Sequence, residues 1–317
     1  MRTFIVILFS LVLFSACVED FDLKVKDGEP RLVVEGLITN QPGPYYVRLT
    51  KSTPGGLTST TALTFRPKDN VEPVENATVI ISDDFNQIDT LKPYKVDILG
   101  GDYGENSYNQ GFYKTTRLKG IQEHTYNLKI ISEGKEYQAS AYMPPVPEID
   151  SLGYYLKKSE LVGKSDYYIP LLYFKEPQSI NNYYLIQLHD DFLERIFASS
   201  FLWQFSILTD TFLEPYVNGL NVSRGATPRG IDSYPVYQEE DSIYVALSSL
   251  TKEAFNYYKN LLDQFDSDGG AYKPTPASPP GNISNGALGL FRASAVSVKR
   301  TKIDHNRSSS PSINIKI

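Results

Sequence analysis

From Arg31 onward the chain is cut by Gly, Pro, Asn and Asp into short runs rich in Val, Ile, Leu, Tyr and Thr. Turn residues recurring roughly every 8 to 15 positions leave room for strands and tight reversals, so the pattern predicts antiparallel sheet. Arg31 to Ile38 is the first run and Tyr45 to Thr50 the second, with Asn40, Gln41, Pro42, Gly43 and Pro44 reversing the chain between them. Ala77 to Ser82 pairs with a return through Ile88 and Leu91. Thr125 to Ile131 alternates Tyr126, Leu128, Ile130 against Asn127 and Lys129, the period of a strand wet on one face. Glu133 and Gly134 turn it back into Lys135 to Met143. About seven such strands over residues 31–143 predict an immunoglobulin-like β-sandwich.

Prolines at 144, 145 and 147 cannot donate to a ladder, and a stiff linker, 144–148, divides the chain there. Residues 149–300 read as a second β-rich domain. Strands are expected at Ile149 to Lys157, Tyr167 to Lys175, Asn182 to His189, Ser242 to Leu247 and Ala287 to Lys299. The tyrosine pairs 154/155, 167/168 and 183/184 should each place one ring inward and one outward. Asp190 to Ser206 fits strand and loop somewhat better than helix. Residues 251–265 are the one expected helix: Thr251 caps it, Glu253 suits its positive first turn, and Ala254, Tyr258, Leu261, Leu262 and Phe265 stripe one face. Residues 301–317 read as a polar tail. The fold class is therefore mainly β, a sandwich followed by a β-rich domain with one amphipathic helix.

The amino terminus limits where such a fold works. Arg2 supplies a positive charge, Phe4 to Phe14 is almost wholly apolar, and Ser15 and Ala16 lead into Cys17, the single cysteine of the chain. An apolar run of about eleven residues is too short to span a bilayer, so residues 1–16 read as a lipoprotein signal peptide with lipidation at Cys17. Residues 17–30 form a tether, and Glu19, Asp20 and Asp22 resemble the acidic export signal of surface lipoproteins in the Bacteroidota. With 41% hydrophobic and 13% aromatic residues the remainder can fill a core, and a net charge of −6 offers no basic field for nucleic acid.

Catalytic chemistry finds little purchase. The three histidines, His124, His189 and His305, stand beside no nucleophile motif, and no Gly-x-Ser-x-Gly elbow occurs. Three scattered imidazoles without a free thiol give no zinc spacing, and the Asp263, Asp266, Asp268, Gly269 stretch lacks the bidentate glutamate of a calcium loop. No phosphate-cradling glycine loop precedes a helix. No catalytic residue, metal or cofactor is therefore expected. Thr90, Ser151 and Ser242 each follow an aspartate in tripeptides resembling the O-glycosylation acceptor of exported Bacteroidota proteins. Tyr103, Tyr108 and Tyr113, in or beside a glycine-rich loop, are the ligand-binding candidates, because a phenol offers a flat apolar face with a polar rim.

Four groups of residues, met in order along the chain, carry a family resemblance. They are Leu32-Val33-Val34-Glu35-Gly36 with Ile38-Thr39-Asn40 and Pro42-Gly43-Pro44-Tyr45; Pro145 to Leu152; Leu250 to Leu262; and Gly281-Asn282-Ile283-Ser284 through Gly289-Leu290-Phe291. Together they resemble the Bacteroidota lipoproteins grouped as domain of unknown function 4249. The resemblance implies an outer-membrane lipoprotein of the kind that often accompanies TonB-dependent transporters, and it transfers no catalytic residue. The expectation is a non-catalytic accessory module, anchored to the outer membrane on its surface or periplasmic face, with a transporter and a glycan or peptide ligand as partners. A surface hydrolase with a glycosidase-like carboxylate pair, or a structural or adhesive protein, is the alternative.

Overall fold

Residues 29–52, 72–95, 111–158, 165–178, 180–188, 205–222, 237–265 and 279–304 are described by the computed structural model, and among them the chain is mainly β. The first eight strands are β1 (Leu32–Thr39), β2 (Tyr46–Lys51), β3 (Thr78–Asp83), β4 (Ile88–Thr90), β5 (Lys92–Tyr94), β6 (Phe112–Lys114), β7 (Thr125–Ser132) and β8 (Lys135–Tyr142). They divide into two sheets. One has the order β4-β3-β7-β8. The other runs β15-β1-β2-β6-β5, where β15 (Leu288–Ser294) returns from near the carboxyl end and lies parallel to β1. Val34, Ile38, Val47, Leu49 and Phe291 from this sheet meet Val79, Ile81, Leu128 and Ile130 from the other in one buried cluster. Each such side chain contributes about 1.5–3 kcal/mol by leaving water. The layering is that of a sandwich and is consistent with the immunoglobulin-like expectation.

The parallel partner of β1 is the main departure from what the runs suggest. Period-two alternation shows which face of a strand is wet, but not which strand lies alongside. Gly289 makes the close approach possible: its φ is +96°, and a Cβ there would sit 2.0 Å from the carbonyl oxygen of Val34. Asn282 fixes the returning strand, its amide donating to Phe291 O at 2.7 Å and its carbonyl accepting from Phe291 N at 2.9 Å.

Beyond the proline linker a second two-layer unit forms. A sheet of order β13-β10-β9 contains β9 (Ile149–Lys157), β10 (Tyr167–Lys175) and β13 (Tyr216–Asn221). It faces a sheet of order β12-β11-β14-β16, made of β11 (Tyr183–Gln187), β12 (Phe205–Thr209), β14 (Ser242–Leu250) and β16 (Val296–Lys302). Tyr154, Leu172, Phe174, Tyr184, Ile243, Val245 and Leu247 fill the space between them. Tyr154, Tyr168 and Tyr184 are buried while Tyr155, Tyr167 and Tyr183 are partly exposed, as alternation requires. Helix α1 (Lys252–Phe265) lies on the outer face of the second of these sheets, and Thr251 Oγ1 accepts from Ala254 N at 3.2 Å to cap it.

Two expected boundaries move. The single run Ala287 to Lys299 is two strands, β15 and β16, separated at Ala295, which lets one segment serve both units. The tail expected from residue 301 starts too early: Thr301 and Lys302 belong to β16, and Ile303 is wholly buried. Lys and Arg on an edge strand read as solvated tail, because alternation there is masked by long polar side chains. The seam between units is dense in hydrogen bonds. Asn40 Oδ1 accepts from Val296 N at 2.8 Å, Ile149 N donates to Ser297 Oγ at 2.9 Å, and Ser249 Oγ donates to Pro144 O at 2.6 Å.

Candidate functional site

Cys17, Glu19, Asp20, Asp22, Tyr103 and Tyr108 lie outside the described residues, as do His189 and His305. Tyr113 is described, and it corrects its expected role. It is 1% exposed, its hydroxyl donates to Val74 O at 2.8 Å and accepts from Ala77 N at 2.9 Å, so the ring serves the core and offers no face to a ligand. The physical reason is its register: Tyr113 stands opposite Val47, whose side chain also points into the sandwich.

Thr90, Ser151 and Ser242 are all exposed, but they stand on β4, β9 and β14 and do not converge. Asp89, next to Thr90, is 1% exposed and accepts from Thr116 N, Thr116 Oγ1, Arg117 N and Leu118 N at 2.7–2.9 Å. Burial pushes its carboxyl up, and these hydrogen bonds outweigh burial, leaving it below the usual carboxylate range. His124 Nδ1 lies 2.7 Å from Asp84 Oδ1 on the surface, with the Phe85 ring 4.4 Å away. That bond holds the Asp84 carboxyl low. Among the described residues, no group of three or more His, Cys, Asp or Glu is placed to hold a metal. No helix among them is long and apolar enough to cross a membrane.

The structure brings together a different set of groups, on the outer face of the first sheet where β15 meets α1. Strand alternation turns Val34 and Ile38 into the core and leaves Glu35 on the other face. Arg48 stands directly opposite Glu35 across the antiparallel pair, and its Nη1 lies 3.2 Å from Glu35 Oε2. Arg292, two residues along β15 from Leu290, which pairs with Glu35, projects to the same face. All three are buried: Glu35 is 8% exposed, Arg48 4% and Arg292 5%.

Helix α1 covers the Arg292 side of the cluster. Ala254, Tyr257 and Tyr258 pack on Leu185, Leu250 and Leu290, which brings the Tyr258 ring to 5.3 Å from the Arg292 guanidinium carbon. At that distance the ring's negative face attracts the cation. Arg48 makes the equivalent approach to Phe112 at 5.5 Å. Burial raises the Tyr258 hydroxyl; Arg292 opposes that shift and Glu35 adds to it. Tyr257 is raised too, first by burial and then by Tyr258 and Glu35. Both phenols therefore stay protonated across the physiological range. Sequence reasoning did not single out this cluster. The signal that could have found it is a charged residue inside each of two otherwise apolar strands, Glu35 in LVVEGLIT and Arg292 in LGLFRAS.

Another buried carboxylate stands at the end of β10. Glu176, 2% exposed, accepts from the Tyr184 hydroxyl at 2.9 Å and from Asn182 Nδ2 at 2.8 Å. Burial pushes its carboxyl up, and the two donors only partly offset that. Every donor here belongs to the adjoining turn and strand, so the group organises the passage from β10 to β11.

No curated protein matches the chain. Of the residues quoted above for the family resemblance, Asn40, Asn282 and Gly289 meet backbone at β1, β15 and the seam, and Leu250 to Leu262 include most of helix α1. Residues 18–300 match the model of the family described as Domain of unknown function (DUF4249), and the chain belongs to that family.

Proposed function

We propose that the chain is a lipoprotein of the Bacteroidota outer membrane, held there through Cys17, and that it works as a non-catalytic binding module beside a TonB-dependent transporter. The observation that carries the reading is the single cysteine directly after an apolar run closed by Ser15 and Ala16. The geometry supports a spacer arrangement. Arg31, where the tether joins β1, bonds to Gly286 O at 2.7 Å and to the Ser52 hydroxyl, at the opposite end of β1 from the seam at Thr39 and Ser294. A lipid on Cys17 would thus hold the first sandwich near the bilayer and present the second beyond it. Anchoring raises the local concentration of a weak binder, so modest contacts with a membrane partner suffice.

Fractionation of cells expressing the Cys17→Ser chain tests the anchor. The expected result is transfer of the protein from the envelope pellet to the soluble fraction; an unchanged pellet overturns the anchor. Affinity purification of the wild-type chain from detergent-solubilised envelopes tests the partner. A β-barrel transporter is expected in stoichiometric yield, and its absence under conditions that retain other envelope complexes removes that half of the reading.

A further inference from the structure

We infer that strand β1 is a load-bearing element, built to hold against tension that enters at the anchored amino end and leaves through the second unit. The inference rests on the anchoring and binding-module reading, because a chain fixed at Cys17 and gripped by a partner at the second unit is pulled from both ends. Such a pull reaches the sheet at Arg31 and runs along β1 towards the seam. β1 is not an edge strand. Seven register pairs hold it to β15 on one side and six hold it to β2 on the other. Ladder bonds run across the strands, so a lengthwise pull loads them side by side, and the strand leaves only when they fail together. A pull across the strand opens the same ladder pair by pair.

Side chains tie down both ends of the strand. At the tether end Arg31 Nε donates to Gly286 O at 2.7 Å and Arg31 N donates to the Ser52 hydroxyl at 2.9 Å, so the segments on both sides are engaged. At the seam Asn40 Oδ1 accepts from Val296 N at 2.8 Å, and Gln41 Nε2 donates to Val296 O at 2.9 Å. Register is also fixed by shape. The Phe291 ring fills the space where Gly36 has no side chain, since a Cβ there would meet Phe291 Cδ2 at 2.8 Å. Residues of one face recur at every second position, so drawing β1 towards its amino end by that step would drive the buried Ile38 into the ring. Glu35 and Arg48, paired across β1 and β2, would be drawn apart in the same movement.

The test is the lifetime under constant force of the chain from Cys17 to Ile317, which contains every described residue. One handle is the Cys17 thiol. The other is placed by Ser242→Cys, exposed on β14 in the second unit, or by Lys135→Cys, exposed at the turn after β7. The first pair of handles loads β1 lengthwise. The second pulls across it, because residue 135 lies beside Glu133, whose carboxylate reaches Lys51 Nζ at the tether end. Forced unfolding reads the unfolding rate along the pulled direction. At equal force the lengthwise lifetime should be several-fold longer than the crosswise one. Gln41→Ala should shorten the lengthwise lifetime and leave the crosswise one unchanged, because its bond to Val296 O stands at the far end of the strand and is reached last in peeling. Should Gln41→Ala not fold, Asn40→Ala puts the same question to the neighbouring bond. A lengthwise lifetime no longer than the crosswise one overturns the proposal, as does an effect of the seam variant that is equal in both directions. The measurement uses purified protein without a membrane, so it and the Cys17→Ser fractionation can each fail while the other stands.

Discussion

Glu35 and Arg48 face each other across β1 and β2 and form an ion pair at 3.2 Å that is almost wholly removed from water. Breaking such a pair from one side strands a charge in a poor solvent, whereas replacing both partners removes the problem. Arg48→Met alone should therefore cost about 3–5 kcal/mol in urea unfolding, and Glu35→Leu with Arg48→Met should recover most of it. Equal losses in the single and double variants would show that the pair is not coupled.

Gly289 and Gly134 both have positive φ, but only Gly289 is crowded. A Cβ at Gly289 would meet the Val34 carbonyl at 2.0 Å, while at Gly134 nothing lies within 4 Å. Gly134→Ala should cost about 1 kcal/mol, the strain of the left-handed region alone. Gly289→Ala should cost more than about 3 kcal/mol, since β15 must also move off β1. Chemical denaturation of the two variants side by side checks the contrast.

Two of the buried carboxylates, Glu176 and Asp89, should give opposite pH responses. Glu176 is raised in the folded state, so its contribution to stability is fully present below the unfolded value of about 4.3 and is lost as pH climbs through the folded value. Glu176→Gln should therefore gain stability relative to wild type as pH rises from acid to neutral. Asp89 is lowered, so its contribution is present above about 3.9 and is lost as pH falls through the folded value. Asp89→Asn should cost about 1.5–3 kcal/mol at neutral pH and flatten the acid limb. Urea midpoints collected across the acid range for both variants test the signs.

Tyr113→Phe should cost about 1–2 kcal/mol through loss of the two hydrogen bonds that tie residues 74 and 77 to β6.

Much of the fold is legible in the residues. The tyrosine pairs announce their strands because each pair must split between core and surface, and Thr251 with the Ala254, Tyr258 and Leu261 stripe announces the helix. Local pattern fails where partners are distant. Nothing in Leu288 to Ser294 says that it lies against residues 33–39, since a parallel pairing leaves no turn between its strands. The Arg292 cluster was missed for the same reason: a charged residue in an apolar run reads as the wet side of a strand until the element covering it is known. Tyr113 erred in the other direction, because proximity to a glycine-rich loop suggested exposure while its strand register dictates burial.

The pairing of Arg31 with Gly286, and of β1 with β15, joins positions 255 residues apart. During synthesis, which delivers the amino end first, the outer edge of β1 stays open until nearly the whole polypeptide has emerged, and the first core waits for Phe291. Any species halted before that point exposes a bare strand edge, the surface most prone to self-association. A chaperone that shields β1 on the way to its destination would meet the period of greatest risk.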